Sequence, residues 1–178
     1  MAVYIKEFIL YSSLLLVIFF ASFSEADAQE QDFYFGLSGG QTRVKNTQTQ
    51  EYQDATSFGA KVGMRLYSSE SIWTGTELKY TRTTAKETVS DSGSSSVSTY
   101  EVETTGLYLT GRSRGKVYAK GKIGAAHHII QVDDVVIQET TRGSAGVGLG
   151  IRQGGAVLEV EYTLYGDDVT ILSIGYVF

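Results

Sequence analysis

The chain is 178 residues long, with no cysteine, no proline, 20 glycines, 12 tyrosines and a formal net charge of −5 at pH 7. Without cysteine there is no disulfide framework, no thiolate nucleophile and no thiolate metal site. The acidic balance gives no electrostatic footing for nucleic acid.

Residues 1–28 have the grammar of a secretory signal. Lys6 precedes an apolar run from Phe8 to Phe23, and Ala26-Asp27-Ala28 supplies a small-x-small cleavage site. The expected mature protein is a single domain, 29–178. It is rich in Thr, Tyr, Val and Gly, which favours strands, and no window sustains a helical period or is long enough for a spanning helix.

Eight segments then alternate with the period of two that a strand imposes on its side chains. In the first, 32–42, Phe33, Phe35 and Leu37 share one face and Tyr34, Gly36, Ser38 and Gly40 the other. A polar stretch, 43–54, reads as a loop. The second segment, 56–67, sets Phe58, Ala60, Val62, Met64 and Leu66 against Gly59, Lys61, Gly63 and Arg65, and 68–70 is a short turn. The third starts near Ser71, with Ile72, Thr74, Thr76, Leu78 and Tyr80 opposite Trp73, Gly75, Glu77 and Lys79. The fourth ends near Thr110, with Thr105, Leu107 and Leu109 opposite Gly106 and Tyr108. Between these two, 81–104 fits either a loose loop or a hairpin turning at Ser92-Gly93. The hairpin sets Leu78 opposite Leu107 and Tyr80 opposite Thr105, like faces together.

Gly111 to Gly115 (GRSRG) reads as a tight turn. The fifth segment carries Val117, Ala119, Gly121, Ile123 and Ala125 against Tyr118, Lys120, Lys122 and Gly124; the sixth carries Ala145, Val147, Leu149 and Ile151 against Ser144, Gly146, Gly148, Gly150 and Arg152. The connection between them, 127–141, resembles a hairpin with Asp133-Asp134 at its tip. A strict two-residue turn would pair Ile123 with Ser144 and mix the faces, so parity demands an odd loop such as 133–135, or a bulge. After a turn at 153–155, the seventh segment sets Leu158, Val160, Tyr162 and Leu164 against Glu159, Glu161, Thr163 and Tyr165. Gly166-Asp167-Asp168 leads into the last, VTILSIGYVF, where Thr170, Leu172, Ile174, Tyr176 and Phe178 form one face and Ile171, Ser173, Gly175 and Val177 the other.

Alternation alone does not say which face looks inward. A soluble lipocalin-like barrel, binding a lipophile, would put the apolar face inside. Three features favour the opposite. The charged face is also the small-residue face, which suits the crowded lumen of an eight-stranded barrel. Segments of about ten residues match a tilted strand crossing a bilayer. Connections are long after segments one, three and five and short after two, four and six, with a brief one after the seventh as the exception. This is the asymmetry of external loops and periplasmic turns. The expected fold is therefore an all-β, eight-stranded antiparallel up-and-down transmembrane barrel, apolar face outward, interior polar and glycine-rich, located in the bacterial outer membrane. Inside, Glu77, Glu159 and Glu161 stand against Lys61, Arg65, Lys79, Lys120, Lys122 and Arg152. Eight strands leave room only for side chains, so this set is expected to form a structural network rather than to line a pore. Its excess of cations places some of them near the wet ends.

With the signal, the eight strands and the closing Gly-Tyr-Val-Phe in place, residues 32–178 resemble the small OmpA/OmpX-like outer-membrane barrels. The resemblance implies that Tyr176 and Phe178 in the closing strand are read by the barrel-assembly machinery. It further implies a monomer in outer-membrane lipid, with roles in adhesion, host-protein binding or envelope integrity. The hairpins around Ser92-Gly93 and Asp133-Asp134 look most like those of OmpX, which project beyond the membrane as an exposed sheet. An exposed strand edge takes an added strand, so Ile130, Val132, Val135 and Ile137 are candidate contacts for an extracellular protein partner.

An enzyme is not expected. His127 and His128 are adjacent on a strand and point to opposite faces, so they do not readily share a metal or a catalytic partner. Lipid A deacylases of similar size place a histidine two residues before a serine, whereas here Ile129 and Ile130 follow. Glycines 143, 146, 148 and 150 continue a strand rather than form a phosphate loop. No cofactor or metal is anticipated.

Overall fold

A computed structural model describes residues 33–178 apart from 46–49, 53, 85, 91–96, 154 and 168. The expected signal, 1–28, and the expected turn at Ser92-Gly93 lie outside the described residues. Ten strands are present: β1 (Phe33–Val44), β2 (Gln50–Tyr52), β3 (Ala55–Ser68), β4 (Ile72–Thr83), β5 (Lys86–Ser90), β6 (Val97–Ser113), β7 (Val117–Val132), β8 (Val135–Gln153), β9 (Ala156–Tyr165) and β10 (Val169–Val177).

Eight of them close on themselves. Each long strand pairs antiparallel with the next in sequence, and β10 returns to β1 with Gly36 opposite Val177 and Val44 opposite Val169. The seam continues to the last residue, where Phe35 and Phe178 exchange backbone hydrogen bonds of 3.0 and 2.7 Å. The result is an up-and-down barrel without a free edge in its membrane-spanning part.

Which face is inside follows from burial. Ile123, on one side of β7, is 67% exposed, while Lys120, on the other, is 3% exposed. The same division holds on every barrel strand: Leu107, Leu109, Val147, Leu149, Leu172 and Ile174 face outward, and Glu77, Glu159 and Glu161 are buried. Charges taken from water and apolar groups left on the surface make sense only if lipid surrounds the wall. The lipocalin-like alternative is thereby overturned.

Strand pairing matches the sequence parity where alternation runs without interruption. Leu78 is opposite Leu107 and Tyr80 opposite Thr105. At GRSRG the expectation is corrected, and at 127–141 the structure takes the bulge, one of the two expected alternatives. GRSRG is not a turn throughout: β6 runs to Ser113, the chain reverses at 114–116, and Gly115 alone takes a left-handed φ of +117°. The hairpin at Asp133-Asp134 has a two-residue turn and not an odd loop, both aspartates having positive φ (48° and 64°). Such primed geometry matches the twist of the flanking strands. Parity is restored by the bulge: Val132 pairs with Val135 and Gln131 with Val136, but Ile130 pairs with Gln138, leaving Ile137 extra and Ile123 opposite Ala145. A second bulge between Arg65 and Tyr67 turns both Leu66 and Tyr67 outward at the short-turn end.

β6, β7 and β8 contain 17, 16 and 19 residues, whereas β9 and β10 contain 10 and 9. About ten residues cross a bilayer, so the longer three continue past it. There β5 extends the β4 side of the hairpin, pairing with β6 from Lys86 opposite Tyr100 to Val89 opposite Val97. β2 pairs in turn with β5. A sheet ordered β2-β5-β6-β7-β8 thus rises from one side of the barrel, at the end away from the short turns.

Candidate functional site: the lumen and the projecting sheet

Inward side chains fill the lumen in layers. At the short-turn end, Arg112 of β6 lies over Tyr34, Trp73 and Tyr118, with its guanidinium carbon 4.3, 4.7 and 5.6 Å from the ring centroids. Its Nη2 is 3.5 Å from both Glu77 and Glu159. Room for these rings comes from glycine on the neighbouring strand. Tyr34 pairs with Gly63 and Tyr118 with Gly150. A Cβ at either glycine would lie within 2.4 Å of the tyrosine ring.

Midway, three glutamates meet the lysines. Lys120 Nζ is the hub: 2.7 Å from Glu77 Oε2, 2.7 Å from Glu161 Oε2 and 3.2 Å from Glu159 Oε1. Glu161 Oε1 also receives Lys79 at 2.6 Å and Lys122 at 2.7 Å. Lys61 donates to Glu159, Tyr118 donates to the same carboxylate, and Tyr34 donates to Glu77 at 2.9 Å. Since β4 and β9 are four strands apart around an eight-stranded wall, the Lys79–Glu161 pair spans the barrel. Among the described residues, five buried cations (Lys61, Lys79, Arg112, Lys120, Lys122) face three buried carboxylates (Glu77, Glu159, Glu161).

Above this layer Lys122 lies 4.1 Å from the Tyr108 ring centroid, and Tyr108 shares a 3.2 Å hydrogen bond with Ser144. The lumen then turns apolar: Val44, Ala55, Tyr100, Val102, Ala126, Ile130, Val169 and Ile171 form one cluster with Tyr108 and Tyr165. The polar, glycine-rich interior expected from the sequence fits the lower and middle lumen, and at its outer end an apolar plug packs beside the buried Thr42, Thr83, Thr104 and His128.

Of the charged residues proposed from sequence, Lys61, Glu77, Lys79, Lys120, Lys122, Glu159 and Glu161 are brought together. Arg65 and Arg152 are half-buried at the short-turn end, where Arg152 donates to the Gly115 carbonyl and lies 4.9 Å from the Tyr118 ring. The expected placing of surplus cations at wet ends fits these two, but the excess persists within the buried middle. Arg112 is not among the residues expected from sequence, since GRSRG reads there as a turn. The signal was present: residues 106, 108, 110 and 112 continue one face of β6.

The projecting sheet presents a different surface. Val135, Val136 and Ile137 are exposed, Val135 at 63%, whereas Ile130 is 2% exposed and Val132 packs against the plug. Ile130 and Val132 are therefore withdrawn as partner contacts: their side of β7 continues the lumen face and is covered. On the outer face, Arg82 bonds Glu101 at 2.7 Å and approaches Glu103 at 3.4 Å. His127 shares a 3.0 Å hydrogen bond with Thr141 and lies 3.4 Å from Glu139. His128 points the other way and is buried. At the mouth, hydrogen bonds from Arg43 hold the exposed Asp54 carboxyl below its ordinary range. Among the described residues no group of three His, Cys, Asp or Glu is arranged to hold a metal ion.

A closed eight-stranded wall with lipid-facing apolar groups and a filled lumen defines a small integral outer-membrane protein. The chain belongs to the outer membrane protein beta-barrel domain family, whose profile matches residues 12–168, and it resides in the bacterial outer membrane. Solved structures share the fold. Neisserial surface protein A superposes with a TM-score of 0.55 at 13% identity, covering 83% of this chain and 96% of that one. The N-terminal β-barrel domain of Pseudomonas aeruginosa OprF gives 0.52 at 14% identity, covering 84% and 98%. Ail, the attachment invasion locus protein of Yersinia pestis, in complex with the heparin analogue sucrose octasulfate, gives 0.50 at 20% identity, covering 83% and 100%. At these identities the likeness is one of fold alone. No curated protein sequence matches the chain significantly.

Proposed function

We propose that this protein is a surface-interaction barrel: a plugged, monomeric anchor in outer-membrane lipid that presents its projecting sheet to an extracellular protein in an adhesion-type role. One observation carries the reading. β8 leaves its barrel neighbour at Ser144, opposite Tyr165, and from Val135 to Arg142 no described strand pairs with its outer edge. Open backbone donors and acceptors beside exposed Val135, Val136 and Ile137 make a docking edge. Long loops of such barrels are external, which puts this edge outside the cell. The likeness to Ail, an attachment invasion locus protein, supports the same class of role.

The lumen serves this role by holding the wall rigid and closed. Tyr176 and Phe178, exposed on the outer face with their rings stacked 6.4 Å apart, suit recognition by the barrel-assembly machinery during insertion. The test replaces Val135, Val136 and Ile137 together by serine, leaving the buried Ile130 and Val132 in place. Cells displaying this variant are expected to lose adhesion to surfaces coated with host matrix and serum proteins. Undiminished adhesion with a folded barrel would contradict the proposal.

A further inference from the structure

We propose that the segment docking on β8 is an extended peptide of another protein that carries a lysine or arginine opposite Glu139 and an apolar side chain opposite Ile137. This rests on the surface-interaction reading and adds the chemistry of the partner. The outer face of the projecting sheet holds a cross-strand row whose members are fixed by register: Arg82 opposite Glu103, Glu103 opposite Ile129, Ile129 opposite Glu139. The first pair in the row is an ion pair. The row ends at Glu139, on the open edge, so the next residue in it would belong to the partner strand.

Directly opposed side chains are the unit of sheet stabilisation: opposite charges favour pairing and like charges oppose it. The residue that fits beside Glu139 is therefore a cation. Toward the tip, Val136, which the register places on this face opposite Gln131, and the bulged Ile137 are both exposed, and Thr141 is two positions the other way with its hydroxyl engaged by His127. The partner's outer face would accordingly read apolar, basic, small polar. Asp134 at the tip is exposed and adds to the preference for a basic segment. The edge sequence, VVIQETTR from 135 to 142, has neither proline nor lysine, and is blunted only by its bulge at Ile137 and by the charges of Glu139 and Arg142.

A second copy of the chain fits poorly. Copies in one membrane point the same way, so their β8 edges meet in parallel and at one height, setting Glu139 beside Glu139 and Asp134 beside Asp134.

The test uses the full barrel in phosphatidylcholine vesicles and two synthetic alternating valine–threonine peptides, one with a central lysine and one with a central glutamate. The lysine peptide is expected to bind about five- to tenfold more tightly. Glu139→Gln should bring the ratio close to one, and Glu139→Lys should invert it, with the heat-dependent gel shift of the barrel retained in both variants. Equal binding of the two peptides to the wild type, or a lysine preference that survives Glu139→Lys, overturns the charge rule while leaving edge docking intact. Binding of neither peptide overturns strand addition here altogether. A disulfide-linked homodimer formed by Glu139→Cys would assign the edge to a second copy and likewise overturn the proposal.

Discussion

Lys120 bonds three carboxylates at once, and that makes it the most consequential single side chain in the lumen. Removing one partner of a buried ion pair strands the other in a medium that solvates it badly, at a cost of about 3–5 kcal/mol. Lys120→Met should therefore destabilise the barrel by about that amount in urea unfolding from vesicles. Lys122→Met should cost clearly less, because its close partner Glu161 keeps Lys79 and Lys120, whereas Lys120 bonds all three carboxylates. Equal losses would contradict the hub assignment. Packing makes a second prediction at this scale. Gly150→Ala drives a methyl into the Tyr118 ring, forcing the phenol away from Glu159, and should cost about 1–3 kcal/mol by overpacking. Gly121, whose added Cβ would meet nothing within 4 Å, is the control, and Gly121→Ala should be nearly neutral. Most of this chemistry was legible in the sequence, since alternation alone put seven of the clustered charges on one face. The roles of Tyr34 and Tyr118 were not, because a tyrosine on an inward position shows its role only once the glycine beneath it is known.

At the scale of elements, the tip of the β7–β8 hairpin is tied to β6 through Asp133, whose backbone amide donates to the Thr99 carbonyl at 2.9 Å. Asp133 Oδ1 accepts from the Thr99 amide at 2.8 Å and from its hydroxyl at 3.3 Å. Asp133→Ala should speed amide exchange at Thr99 and its neighbours while leaving the membrane-spanning strands protected; unchanged exchange would show that the tip is held by other means. Register was readable wherever alternation ran unbroken, as Leu78 with Leu107 shows. It failed at irregularities. Parity calls for a bulge or an odd loop in 127–141 without saying which or where, and the glycines flanking Arg112 mask the continuing alternation of β6; pairing with the neighbouring strand decides both. Ile130 and Val132 illustrate a related limit. Their parity points inward, yet the inward face beyond the bilayer is covered only because the outer end of the lumen is packed with apolar side chains from β1, β3, β6, β9 and β10 as well.

For the whole molecule, the closed ladder from β1 to β10 implies a barrel that resists SDS at room temperature. The envelope fraction should show different gel mobilities before and after boiling, and a single mobility in both states would contradict a closed barrel. The two ends of the molecule differ in kind: short turns and aromatic-wrapped Arg112 below, an apolar plug and an open-edged sheet above. The functional account depends on which end meets the exterior. Because the chain has no cysteine, single-cysteine variants report this directly. Val136→Cys should react on intact cells with a maleimide too large for porins, and Lys116→Cys, in a short turn, only after the outer membrane is permeabilised. Labelling of Lys116→Cys on intact cells, with Val136→Cys protected, would put the projecting sheet in the periplasm and contradict the account.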